Sequence, residues 1–203
     1  MLRFFVLILI TFLAYSACHP SINKNYSQYI VGYGSLMDES SKQRTDKTTT
    51  EGVPIFLKGY QRGWFVHGTL PGLNATFLSI KESPYSSLNG VIYKLINPNN
   101  IAMYDKRERI YCRKELSTSK IKFYSSIPTE NKQIWIYVPK NKYTEKPEQN
   151  YPIVQSYVDI FIRGCINIEG KFNIPDFAKN CVNSTTNWSI HWVNDRIFPR
   201  RPL

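Results

Sequence analysis

Three short segments of the 203-residue chain carry side chains suited to chemistry. The first is Asp105-Lys106-Arg107-Glu108-Arg109-Ile110-Tyr111-Cys112-Arg113, in which Glu108 is a carboxylate set among basic residues. A glutamate so flanked is usually a surface ion pair. Here the run leads into alternating Tyr111 and Arg113, which reads as a helix-to-strand junction and suits a cleft. A carboxylate in a cleft is a proton acceptor and donor. The second segment is Val31-Gly32-Tyr33-Gly34-Ser35-Leu36, an apolar strand running into a glycine turn. Without a Cβ at the turn, a ligand can approach main-chain N–H groups, and such groups bind carboxylates. Alone, a strand-ending glycine turn is more often structural. The third is Pro152-Ile153-Val154-Gln155-Ser156-Tyr157, where Tyr157 either lines a site or packs in the core.

The four cysteines are Cys18, Cys112, Cys165 and Cys181, and they lack the close paired spacing of a zinc site. Cys112 has no histidine near it in sequence and alternates like a strand residue, so a buried structural role is expected rather than a nucleophilic one. Cys165 and Cys181 suit a disulfide in an oxidising compartment. Export is expected from residues 1–17, where Arg3 precedes an apolar run over residues 4–13 and small residues follow. That run is short for a membrane span and reads as a signal peptide. Tyr15-Ser16-Ala17-Cys18 resembles a bacterial lipobox, which would make Cys18 a lipidated first residue and attach the protein to a membrane. The competing reading is ordinary cleavage after Ser16. Residues 18–28 are polar and read as a tether. The expected location is periplasmic or cell-envelope. The Asn-x-Ser/Thr triplets at Asn25, Asn74, Asn183 and Asn187 would be glycosylation acceptors only in a eukaryotic secretory pathway.

The formal net charge is +11. Lysines and arginines are scattered over the chain, with no basic helix, no aromatic RNA-binding strand and no zinc-finger spacing. A solvated basic surface is expected, with no specific nucleic-acid partner.

Short apolar stretches separated by Gly, Pro and Asn are expected as strands at residues 28–32, 53–56, 63–67, 75–80, 89–95, 110–116, 120–125 and 133–138. Asn97-Pro98 has a helix-start signature. Residues 152–165 form the best amphipathic helix, through Ile153, Tyr157, Ile160, Phe161 and Gly164. A second helix is expected at 174–181, and irregular chain from 188 to 203. Many strands with few helices predict an α+β domain: a small mixed-strand β-barrel with flanking helices.

Taken in order, these pieces resemble the γ-glutamylcyclotransferase-like superfamily, in the first half particularly its ChaC branch. Tyr33-Gly34-Ser35-Leu36 is similar to the superfamily's glycine-containing substrate loop. Gly59-Tyr60-Gln61-Arg62-Gly63-Trp64, Pro71-Gly72-Leu73 and Asn89-Gly90-Val91-Ile92-Tyr93 resemble the stretches that follow it. Glu108 falls on the position of the family's catalytic glutamate, and residues 152–164 resemble its late helix, whose tyrosine lines the site. The likeness covers residues 29–164. It departs at Asp38, where the ChaC branch commonly has a tryptophan, and in the tail from 171 to 203. Export is also unusual, because familiar members act on cytosolic glutathione or γ-glutamyl amino acids.

What the resemblance implies is cyclisation of a small γ-glutamyl substrate to 5-oxoproline with release of an amine, without metal or organic cofactor. Glu108 would move the protons. Backbone N–H groups of Gly34, Ser35 and Leu36 would hold the substrate carboxylate. Tyr33, Tyr111 and Tyr157 would line the pocket or donate to the oxyanion, and Arg107 and Arg109 would point away from Glu108. The rivals are an exported binding module without turnover and a surface lipoprotein that uses its basic, aromatic tail.

Overall fold

The computed structural model describes residues 18–124 and 131–197. The expected signal segment, residues 1–17, lies outside them. The strands are β1 (Ser27–Gly32), β2 (Val53–Leu70), β3 (Leu73–Lys94), β4 (Tyr111–Glu115), β5 (Ile121–Phe123), β6 (Lys132–Pro139), β7 (Ile153–Val154), β8 (Thr185–Thr186) and β9 (Trp192–Val193). The helices are α1 (Glu39–Gln43), α2 (Ile101–Arg107), α3 (Gln155–Phe172) and α4 (Phe177–Asn183).

The main sheet runs β4-β6-β1-β3-β2-β5, with β4 and β5 as edges. The α+β class stands, but the sheet is open, and the expected barrel does not close. β1 is central, parallel to β6 and antiparallel to β3. Its apolar run divides between the two faces: Ile30 joins one buried cluster, Tyr29 and Val31 the other. A strand covered on both faces needs no polar alternation.

Four expected strands fuse into the long hairpin of β2 and β3, which turns at Pro71-Gly72 with Gly72 at φ 72°. Proline followed by a positive-φ glycine is the pattern of a type II turn. Gly59 and Pro84 look like strand breaks in sequence, yet the hairpin absorbs both. Lys58 pairs with Ser87 and Tyr60 with Glu82, so Pro84 falls in an extra stretch opposite Gly59, where it owes no hydrogen bond to β2.

α3 begins later than expected, because Ile153–Val154 pair with β9 as strand β7, and it continues to Phe172, where Asn173 caps it at φ 50°. Val158, Phe161, Cys165 and Ile168 bury one stripe of it in the core. At Gly164 a Cβ would lie 2.8 Å from Asp38 N, so only glycine lets α3 lie this close to the chain after Leu36. The described part of the tail is anchored: β8 pairs with β2, and Asp195 accepts hydrogen bonds from Ser156 N (2.9 Å) and Ser156 Oγ (2.6 Å), closing the first turn of α3.

The cysteines pair as Cys18–Cys112 and Cys165–Cys181. The second pair is the expected one. The first corrects the lipidation reading, since a sulfur in a disulfide cannot also carry a thioether-linked lipid. It also corrects the tether reading. Cys18 is covalently fixed, Ile22 packs on the core, Asn23 N donates to Gln133 Oε1 at 2.6 Å, and β1 already begins at Ser27.

Candidate active site

The turn after α2 aims Glu108 inward. Its N–H donates to Tyr104 O at 2.8 Å, ending the helix, and Tyr111 N–H donates to Glu108 O at 2.8 Å, starting β4. The side chain is 15 % exposed. It lies where a cleft of about 500 Å³ meets a small inner pocket of about 30 Å³. The inner pocket is walled by the residues that the sequence assigns to catalysis and substrate binding: Tyr33, Gly34, Ser35, Leu36, Glu108, Tyr111 and Tyr157. Val31, Leu78 and Tyr137 complete the wall, and the last two are not expected from the sequence. Both sit in strand runs that read as ordinary core.

The three tyrosines differ. Tyr33 Oη donates to Tyr137 O at 2.6 Å, and Tyr111 Oη donates to Leu78 O at 2.9 Å. Those protons are committed to main-chain carbonyls, so Tyr33 and Tyr111 shape the pocket but are not the expected oxyanion donors. Among the described residues Tyr157 Oη donates to no main-chain carbonyl, which leaves its proton for the pocket, and the neighbouring Ser35 partly offsets the effect of burial on its pKa. Its oxygen sits against Gly34, where a Cβ would lie 3.0 Å away. Glycine at position 34 thus makes room for a tyrosine hydroxyl. Burial raises the pKa of all three phenols, so each is protonated at neutral pH.

Arg107 does not point away. Its Nε lies 3.2 Å from Glu108 Oε1. Its other nitrogens donate to Ser41 O (2.7 Å), Thr45 Oγ1 (2.7 Å), Ser41 Oγ (3.0 Å) and Ser35 Oγ (3.1 Å). The donor fork of a guanidinium allows this many partners, so its pull on the carboxylate is shared with neutral oxygens. Burial pushes the Glu108 carboxyl above the ordinary range, and the charge and hydrogen bond of Arg107 offset this only in part. Arg109 is exposed and makes no ion pair with Glu108.

Two residues behind the loop hold it in place. Asp38 accepts from Ser41 N (2.8 Å), Ser40 Oγ (2.6 Å) and Arg163 Nε (2.8 Å), capping α1 and pinning it to α3. Burial raises its pKa, but the hydrogen bonds from Arg163, Ser40 and Ser41 together outweigh that and hold it low. The departure at Asp38 is therefore structural. Arg62, fully buried, donates to Tyr33 O at 3.0 Å and to five further oxygens. The sequence does carry a signal for Arg62: period two puts a charge in phase with Tyr60 and Trp64, both buried.

No protein-family model and no curated protein matches the sequence. Solved structures do match. One described as a gamma-glutamyl cyclotransferase aligns with a TM-score of 0.61 and 16% identity, over 85% of this chain and 96% of that one. An uncharacterized protein from Homo sapiens aligns with a TM-score of 0.59 and 16% identity, over 84% and 95%. YkqA from Bacillus subtilis aligns with a TM-score of 0.56 and 19% identity, over 77% of this chain and 53% of its own length. Likeness at this identity is a likeness of fold, and it does not select the ChaC branch.

Proposed function

We propose that this chain, which has the γ-glutamylcyclotransferase-like fold, cyclises a γ-glutamyl group to 5-oxoproline, with Glu108 carrying the protons. The observation that carries the reading is the placement of Glu108: one partly desolvated carboxylate with raised proton affinity, at the mouth of a pocket walled by the glycine loop and Tyr157. In the reaction the substrate's α-amine attacks its own γ-carbonyl carbon. A ring C–N bond forms and the bond to the leaving nitrogen breaks, with no water, metal or oxidant consumed. Folding the substrate into the attacking conformer is worth about 7–11 kcal/mol of barrier. The α-amine, with a reference pKa of about 8, must lose a proton, and the leaving nitrogen must gain one. Glu108 takes the first and returns the second. Burial brings its pKa closer to that of the amine, which favours the transfer. Tyr157 donates to the oxygen that becomes anionic as the carbonyl turns tetrahedral. The N–H groups of Gly34, Ser35 and Leu36 are the carboxylate donors in this reading.

The contact between Arg107 and Glu108 favours a second reading. A carboxylate held by a guanidinium is a weaker base, and such a pair suits a module that binds γ-glutamyl groups without turnover. Export remains part of the proposal, and the two disulfides support an oxidising compartment. Incubation of the oxidised protein with a panel of γ-glutamyl compounds, with 5-oxoproline measured, separates the readings. Release from at least one compound is expected. Saturable binding without release from any would leave the module.

A further inference from the structure

The cleft outside the inner pocket has an uncompensated charge. Arg44, Lys106, Arg107 and Arg109 line it, and Glu108 is the one acid among its lining residues. Arg107 is paired with Glu108. Arg44, Lys106 and Arg109 are exposed, and among the described residues none of them has an acidic partner. Elsewhere some basic side chains do find acids: Arg113 meets Asp105, Arg163 meets Asp38 and Lys42 meets Glu39. Three unpaired cations around one cleft repel each other, so placing an anion between them lowers the free energy.

The geometry says which part of a substrate would meet them. Ser35, Glu108, Tyr111 and Tyr157 belong to both the inner pocket and the cleft, so a substrate spanning both would place its reacting carbonyl at their junction. In the cyclisation reading the γ-glutamyl head would point inward to the glycine loop and the leaving amine out into the cleft. Resting on the cyclisation reading above, we infer that Arg44, Lys106 and Arg109 form a leaving-group subsite for dicarboxylate amines, so that the preferred substrates are γ-glutamyl compounds whose released part carries two or more negative charges. A single amino acid with a neutral side chain offers one carboxylate to three cations. An acidic amino acid or acidic dipeptide fills the subsite better, and a cleft of about 500 Å³ has room for it.

The test compares kcat/KM for γ-glutamyl-glutamate and γ-glutamyl-alaninamide, whose leaving part has no carboxylate. Exposed ion pairs are worth a few-fold each, so the wild type should favour the first by about tenfold at low salt. The preference should shrink in about 0.5 M NaCl, where charges more than a few ångströms apart are screened. The triple variant Arg44→Gln, Lys106→Gln, Arg109→Gln should lose the preference. The triple variant Lys58→Gln, Lys114→Gln, Lys122→Gln removes the same charge from exposed residues that do not line the cleft, and should keep it. Equal kcat/KM for the two substrates in the wild type, or an equal loss in both triple variants, overturns the subsite while cyclisation stands. If nothing is turned over, calorimetry with the dipeptide glutamyl-glutamate and with alanyl-alaninamide decides separately. Tighter binding of the acidic dipeptide, lost in the cleft variant, upholds the subsite as the cyclisation reading falls. No difference between the two dipeptides in the wild type overturns it.

Discussion

Arg62 and Glu108 both reach the loop Tyr33-Gly34-Ser35-Leu36, and the fold treats their charges in opposite ways. Arg62 is fully buried, and six oxygens surround it, drawn from Tyr33, Asn89, Cys181, Ser184 and Thr185. Cys181 and Ser184 stand at the C-terminal end of α4, where the helix carbonyls favour a cation. The Phe161 ring adds a face 4.8 Å away. Burial pulls the Arg62 pKa down to about 9, still above neutral pH, and every donor is used. Glu108 has one ion-pair partner among the described residues, opens on a cleft, and is destabilised in its ionised form. A buried charge with all its bonds made is part of the frame. A buried charge left short of partners is available for chemistry.

The largest effect should come from breaking the satisfied side. Arg62→Met keeps most of the stem but leaves the surrounding oxygens without donors. Urea unfolding should show a loss of about 3–5 kcal/mol, a large part of a typical domain's stability. A variant within about 1 kcal/mol of wild type would mean that those hydrogen bonds do not hold the loop.

The disulfide on the same side comes next. Cys165–Cys181 closes a short loop, with a sequence separation of 16, and Cys181 O is one of the Arg62 acceptors. Replacing both cysteines by alanine should cost about 3 kcal/mol. The wild type should likewise melt at a lower Tm in reductant, and an unchanged Tm would contradict the pairing.

On the other side the sign reverses and the effect is small. The Glu108 pKa is raised in the folded state, so its contribution to stability is present below its unfolded pKa and is lost as pH rises through the folded value. At neutral pH the ionised group is a net cost. Glu108→Gln cannot ionise, so it should be at least as stable as wild type at about pH 8, and its advantage should vanish near about pH 4. A Gln variant clearly less stable on the alkaline side would make Glu108 a structural ion-pair member.

The candidate site residues are legible because their signals are local. Glu108 sits at a helix-to-strand junction, the glycine loop ends a strand, and Tyr157 lies one turn into an amphipathic helix. What is not legible depends on partners far along the chain. Arg62 is explained by oxygens contributed 27 to 123 residues away. Cys18 finds Cys112 across a separation of 94, which removes both the tether and the lipid. Asp195 reaches back 39 residues to Ser156. Gly59 and Pro84 imitate strand ends because propensity has no knowledge of a bulge. Strand count suggests a barrel, but closure requires β4 and β5 to meet, and no local pattern encodes which strands become edges. Arg107 is misjudged because neighbouring basic residues carry the same sequence signal, and only the fold separates the one facing Ser35 from those facing solvent.

Whether Glu108 moves the protons is decided by comparing kcat of Glu108→Gln with that of Asp105→Asn. Glutamine keeps the shape and the hydrogen-bonding reach but cannot accept a proton. Asp105 instead braces the frame, accepting from Tyr137 Oη at 2.7 Å and Arg113 Nη1 at 3.0 Å. With 5-oxoproline release as the readout, Glu108→Gln should lower kcat by about 10²–10⁴-fold with KM little changed, and Asp105→Asn should have a much smaller effect. The wild-type rate should also fall on the acid side as the raised pKa of Glu108 is crossed. Undiminished 5-oxoproline release by the Glu108→Gln variant would contradict the account.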